Sequence, residues 1–162
     1  MSIITRKQFT AIRKKHKGRK IVYVSGTFDL IHANHVGFFE KAKKQGDYLV
    51  VGVGPDADIK NNKGGGRPIL DEIVRLKMVD SLRIVDYCFL TKKTPKNQNS
   101  QIGLIEILEI LRPDIYYVNS DASEIDFRQR ACKQLGVLLI ITPPYKKYDL
   151  STTKIIEKIK AS

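Results

Sequence analysis

At 162 residues the chain fits one domain, long enough to bury most of its apolar surface around one core without disulfide or metal staples. Its longest apolar runs, Tyr48 to Val53 and Val137 to Ile141, are far too short for a membrane span, and Met1-Ser2-Ile3-Ile4-Thr5-Arg6 lacks the apolar stretch of a signal peptide, so a soluble cytoplasmic protein is expected. The net charge of +12 draws nucleic acid, anionic membranes or polyanionic small molecules without choosing among them.

Nucleic acid is the less favoured partner, because no aromatic residue interleaves with the basic run Arg13-Lys14-Lys15-His16-Lys17-Gly18-Arg19-Lys20 to stack bases. That run reads as a solvated basic face. Cys88 and Cys132 have no second sulfur or histidine at metal-ligand spacing and are expected to be reduced core thiols.

Arg6 to Lys15 reads as an amphipathic helix, so residues 1–20 form a basic helical extension to a core of residues 21–160. Ile21-Val22-Tyr23-Val24 is a β-branched run ending at Ser25-Gly26, which predicts a buried strand that delivers its carboxyl end into a turn. A helix is predicted from about His35 to Lys44 and a second buried strand over Tyr48 to Val53. Lys60-Asn61-Asn62-Lys63-Gly64-Gly65-Gly66-Arg67-Pro68 is expected to be a polar loop, mobile when empty, because its glycines oppose regular structure.

Asp71 to Ser81 carries Ile73, Val74, Leu76 and Met78 without Gly or Pro and predicts a helix, followed by a strand over Tyr87 to Leu90. Ile102 to Leu111 reads as a helix stopped by Pro113, Ile115 to Val118 as a strand, Glu124 to Leu135 as a helix and Val137 to Ile141 as a final strand. Pro143-Pro144 forces an extended connection, and Ser151 stands where an N-cap would open the last helix. Five strands alternating with helices predict an α/β class: a single Rossmann-like, doubly wound domain with a mostly parallel five-stranded sheet.

In such a sheet, ligands bind beyond the carboxyl ends of the strands, where the first strand here runs into Ser25-Gly26-Thr27-Phe28-Asp29-Leu30-Ile31-His32-Ala33-Asn34-His35. Spacing of three puts His32 and His35 on one face of a helical turn, beside N–H groups that favour an anion, so together they suit phosphate oxygens; a surface histidine pair would look the same. Zinc is disfavoured for want of a third ligand nearby. Hydroxyls at Ser151-Thr152-Thr153 make a second anion site or a plain cap.

This segment resembles the signature of the cytidylyltransferase-like nucleotidyltransferase superfamily, a glycine-x-phenylalanine-aspartate stretch followed by His-x-Gly-His, matching at Gly26, Phe28, Asp29, His32 and His35. Asn34 stands where that motif has glycine, and it is expected to bring a side chain into the phosphate site. Ser151-Thr152-Thr153-Lys154-Ile155-Ile156 is similar to the family's Ser-Thr-Thr helix start, and the segment from Lys60 to Ile69, with Arg75, resembles the heptose 1-phosphate branch. Val118-Asn119-Ser120-Asp121 departs from the glycine-containing stretch common in relatives.

The resemblance, covering about Ile21 to Lys158, implies a free-standing nucleotidyltransferase whose substrates are a nucleoside triphosphate and a phosphorylated small-molecule acceptor, with Mg²⁺ accompanying the triphosphate and no dedicated protein metal site. In-line attack on the α-phosphorus needs no nucleophilic side chain, only positioning and charge stabilisation. His32, His35 and Lys63 are then the catalytic candidates. Gly26, Thr27, Phe28, Asn119, Ser151, Thr152 and Thr153 would bind the nucleotide, with Gly26 letting it approach the backbone. Lys60, Arg67 and Arg75 would bind the acceptor, and Asp29 would orient the turn.

ATP with a heptose-type sugar 1-phosphate is the favoured substrate pair. CTP with glycerol 3-phosphate or another polyol phosphate is the alternative, and a non-catalytic nucleotide or nucleic-acid binding module is a third reading. A homodimer or larger oligomer is expected, with Tyr116, Tyr117 or the N-terminal helix available as contacts.

Overall fold

A computed structural model describes residues 3–63, 66–92 and 100–162, without the side chains of 61–63 and 100. After a 3₁₀ turn at Arg6–Gln8, the chain runs α1 (Phe9–Lys15), β1 (Ile21–Gly26), α2 (Ala33–Lys43), β2 (Tyr48–Val53), α3 (Asp56–Lys63), α4 (Glu72–Asp80), β3 (Tyr87–Leu90), α5 (Ser100–Leu111), β4 (Ile115–Asn119), α6 (Ile125–Leu135), β5 (Leu138–Thr142) and α7 (Thr152–Lys160). The five strands form one parallel sheet in the order β3-β2-β1-β4-β5.

The central strands are apolar at consecutive positions because both faces are covered. Ile21, Tyr23, Val50, Tyr116 and Val118 pack beneath residues of α1, α5 and α6, while Val22, Val24, Leu49, Val51, Ile115 and Tyr117 meet α2 and α4 on the other face. Side chains alternate with the pleat, so one strand feeds two core layers. Tyr116 and Tyr117 are 0% and 4% exposed. They are core residues and offer no surface to a second subunit, contrary to the expectation from the sequence.

The segment after β2 departs from the expected loop. Lys60 to Lys63 belong to α3, whose first turn carries Asp56 and Asp58, favourable against the partial positive charge of a helix N-terminus. Ile59, 5% exposed, anchors this helix to the core. The glycines begin only at Gly64, after Lys63, the last residue of α3, so they do not interrupt the helix.

The basic run before β1 lies at the amino end of that strand, roughly 20 Å from its carboxyl end for six residues at about 3.3 Å each. Part of it is built in. Arg13 bridges Asp114 at 2.7 Å and donates to the carbonyls of His16 and Arg19. His16 is buried, its ring tilted against Tyr48 at 3.7 Å and bonded to the Tyr87 hydroxyl at 2.9 Å, and burial together with Lys15 and Arg13 depresses its pKa below 6.5. Lys14, Lys15, Lys17, Arg19 and Lys20 are the solvated remainder.

Candidate active site

The strand order changes direction beside β1: β2 and β3 lie to one side, and the chain then returns to place β4 on the other. β1 pairs with β2 along its whole length, from Ile21 opposite Tyr48 to Gly26 opposite Val53, but with β4 only at Val22 and Tyr23. Beyond Tyr23 the two strands part. Parallel pairing thus ends early on that side of β1, at the topological switch point, whose crevice is where open α/β sheets take ligands.

Two helices present their N-termini beside this crevice. His32 is the N-cap of α2, with extended backbone and no side-chain cap bond, and its carbonyl accepts from His35 and Val36. The His32 and His35 rings stack with centroids 3.9 Å apart and planes at 22°. Burial pushes the His32 pKa below the ordinary imidazole value, which favours the neutral ring. Its buried Nδ1 has no hydrogen-bond partner among the described residues.

The loop that carries these histidines is held in a demanding conformation. Phe28 and Leu30 have φ of 50° and 46°, a region unfavourable for residues with a side chain. Phe28 is 5% exposed, and its ring lies where a Cβ on Gly26 would come within 2.8 Å of it. The space that glycine leaves is therefore filled by Phe28, a correction to the expected ligand approach at Gly26. Phe28 in turn meets Phe39 at 4.8 Å and His35 edge-on at 5.7 Å, so it supports the histidine shelf from below.

Asp29 joins three segments. Its Oδ2 accepts from the Ile69 amide at 2.8 Å and its Oδ1 from the Leu70 amide at 3.1 Å, while its backbone carbonyl accepts from the Thr152 hydroxyl at 2.8 Å. Arg67 stands 4.0 Å from Asp29 Oδ2 and donates to the Thr153 hydroxyl at 3.1 Å. The N-terminus of α7 is thereby tied to the β1–α2 loop. Ser151 caps α7 by accepting from Lys154 N at 3.1 Å, which leaves the Thr152 and Thr153 N–H groups among the donors that a helix end does not satisfy internally.

Thr27 contributes a carbonyl, which accepts from Arg75 Nη1 at 2.6 Å. Arg75 itself is a correction: it is 0% exposed and cannot meet an acceptor molecule. Its guanidinium also donates to the carbonyls of Leu70 and Gly54 and to Asp56 Oδ1, at 3.0, 2.8 and 2.7 Å. Five donors in a rigid fork can satisfy such a set of acceptors, and a buried arginine needs them. Asn119 ends β4 at the crevice, with its buried Oδ1 lacking a partner among the described residues.

Lys60 is exposed on α3 and lines a different cleft, of about 750 Å³, with Asp56, Asp71, Glu72, Ile73 and Thr91. That cleft lies beyond the ends of β2 and β3, and neither the histidines nor the Ser-Thr-Thr segment lines it. Lys63 closes α3, and its side chain lies outside the described residues, as do Gly64 and Gly65. Asn34 does not project into the phosphate site as expected. It is 7% exposed and bonds to the segment preceding α7.

An open parallel sheet with two helix N-termini converging at its switch point, one bearing paired histidines and the other paired threonines, offers an arrangement of donors suited to an anion. The cytidylyltransferase-like family matches residues 23–158, and the chain belongs to that family: it is a nucleotidyltransferase of the cytidylyltransferase-like superfamily. The bifunctional protein HldE of Campylobacter jejuni subsp. doylei is 33% identical over 147 residues, and that of Helicobacter pylori 35% identical over 153, in each case 90% of this chain and 29% of the relative. The chain thus spans less than a third of the length of these relatives.

Among solved structures, the lipopolysaccharide core biosynthesis protein from Thermoplasma volcanium is 31% identical with a TM-score of 0.64, over 82% of this chain and 100% of that one. Pantoate-beta-alanine ligase from Francisella tularensis, at 18% identity and a TM-score of 0.62 over 99% of this chain and 77% of its own, shares the fold. Among the described residues, no helix is long and apolar enough to cross a membrane, and no group of three or more His, Cys, Asp or Glu side chains could hold a metal ion.

Proposed function

We propose that this nucleotidyltransferase transfers adenosine monophosphate from ATP to a heptose-type sugar 1-phosphate and releases pyrophosphate. The convergence of the α2 and α7 N-termini through Asp29 carries the reading, because two helix ends tied together offer N–H donors to different phosphates of one triphosphate. The bifunctional HldE relatives, and the likeness of the Lys60 to Ile69 segment to the heptose branch, support this acceptor over others.

In this mechanism the acceptor phosphate oxygen attacks the α-phosphorus in line. His32 and His35 stabilise the charge that develops on the triphosphate, and Thr152 and Thr153 hold its distal phosphates through their backbone N–H groups. Their hydroxyls are already engaged, by Asp29 and Arg67. Lys63 is assigned to bridging the reacting groups. Asp29 does not suit a metal, since both its carboxylate oxygens accept backbone amides; Mg²⁺ would enter with the triphosphate, held by phosphate oxygens and water.

The test is pyrophosphate release with ATP and with CTP, each against heptose 1-phosphate, glycerol 3-phosphate and other sugar phosphates. Release with ATP and the heptose phosphate is the expected result. Release only with CTP moves the enzyme to the polyol-phosphate reading, and silence with intact nucleotide binding rejects both acceptors.

A pH effect follows from His32. Its free-state pKa is depressed, and phosphate contact would raise it, so triphosphate binding should take up a proton between the two values and tighten as pH falls through that window. Calorimetry at pH 6.5 in two buffers of different ionisation enthalpy should show the uptake, and His32→Asn should abolish it. Equal heats in both buffers for the parent protein would separate His32 from the phosphates.

A further inference from the structure

Asn34 occupies a position where the motif it resembles has glycine, yet its amide is placed to do something glycine cannot. Nδ2 donates to the carbonyls of Tyr148 and Leu150 at 2.9 and 2.7 Å, and Oδ1 accepts from the Tyr148 amide at 3.2 Å. Carbonyls only accept and an N–H only donates, so these partners fix which way the amide points. The bonds reach across more than 110 residues, from the first turn of α2 to the last residues before Ser151, the N-cap of α7.

The segment between β5 and α7 has no regular secondary structure and would be free to shift without such fixings. One helical turn after Asn34, Gly37 receives the Tyr145 ring, which lies 2.3 Å from where a Cβ would stand. At about 100° per residue, Asn34 and Gly37 share one face of α2, away from the His32 and His35 face. The same helix therefore presents histidines on one side and seats the incoming strap of α7 on the other.

We infer that Asn34 is a positioning residue that sets the separation between the α2 and α7 N-termini, and so tunes the site for a ligand spanning both. This rests on the proposed nucleotide-phosphate role of those two helix ends. The Asn34 amide is engaged by Tyr148 and Leu150. It acts through the strap, so its loss should weaken ligands in proportion to how far they reach from one helix end to the other.

The test compares inorganic tripolyphosphate, long enough to meet both ends, with inorganic phosphate, which meets one, by calorimetry on the parent and on Asn34→Gly and Asn34→Asp. Both variants should bind tripolyphosphate roughly tenfold more weakly, about what losing one or two net hydrogen bonds of positioning amounts to, with phosphate affinity within twofold of the parent. In Asn34→Asp a carboxylate oxygen replaces Nδ2 and faces two carbonyls, so it should be no milder than glycine. Equal affinity for tripolyphosphate in parent and variants overturns the inference, as does an equal loss for both anions. Variants that fail to fold overturn it as well, since the amide would then be a general staple. A parent that binds no tripolyphosphate would refute the underlying site, a result distinct from any of these.

Discussion

Arg75→Ala should lower the stability of the protein by about 3 kcal/mol, measured as a shift in the denaturant midpoint at an unchanged slope. The side chain is fully buried and serves the carbonyls of Thr27, Gly54 and Leu70 together with the Asp56 carboxylate, which is 25% exposed. Truncation strands four acceptors that had been satisfied by one fork, and the residual exposure of Asp56 keeps the loss at the lower end of the range for a broken buried pair. Against a total of about 5–15 kcal/mol, that is a large fraction.

Arg75→Lys should rescue little, because one ammonium on a flexible stem cannot meet acceptors contributed by the β1–α2 loop, the end of β2, the start of α3 and the turn before α4. A variant that melts like the parent, with only its affinity for the sugar phosphate reduced, would show that the guanidinium meets substrate after all.

His35→Ala should leave the fold intact and reduce the rate of pyrophosphate release roughly 10²-fold or more, the usual cost of deleting a charge-stabilising donor. The ring stands over Phe28 and against His32, so its loss removes the upper layer of a shelf whose lower layer, Phe28 on Gly26 and Phe39, stays packed. Turnover at saturating substrate, with circular dichroism as the check on folding, decides the matter. An unchanged rate removes His35 from the chemistry. Because the two rings are stacked, the double variant with His32→Ala should fall well short of the product of the two single losses.

Much of the architecture is local enough to be written in short windows. Ile21-Val22-Tyr23-Val24 and Tyr48 to Val53 announce buried parallel strands, since a strand covered on both faces needs apolar residues at every position. Ser151 announces the start of α7 through its own cap bond. The departure at α3 has a local cause too: Gly64-Gly65-Gly66 dominate the polar segment that reads as a loop, while the helix-forming residues, Asp56 to Ile59, lie just upstream. Arg75 left a trace that could have been read, because it stands four residues before buried Val79 and thus on the inward face of its helix.

By itself, then, the sequence determined the order of the strands and of the helices other than α3, the parallel α/β class and the two helix starts that gather around the ligand crevice, all of which depend on periodicity and capping within a few residues. Only the tertiary structure decided what Phe28, Asp29, Asn34 and Arg75 do. Their partners lie in other segments, up to 123 residues away for the Asp29 carbonyl and Thr152. Which donor meets which acceptor at such a distance follows from strand order and helix docking, and no pattern along the chain records it. Burial made those pairings obligatory, because polar groups removed from water must find partners wherever the fold brings them.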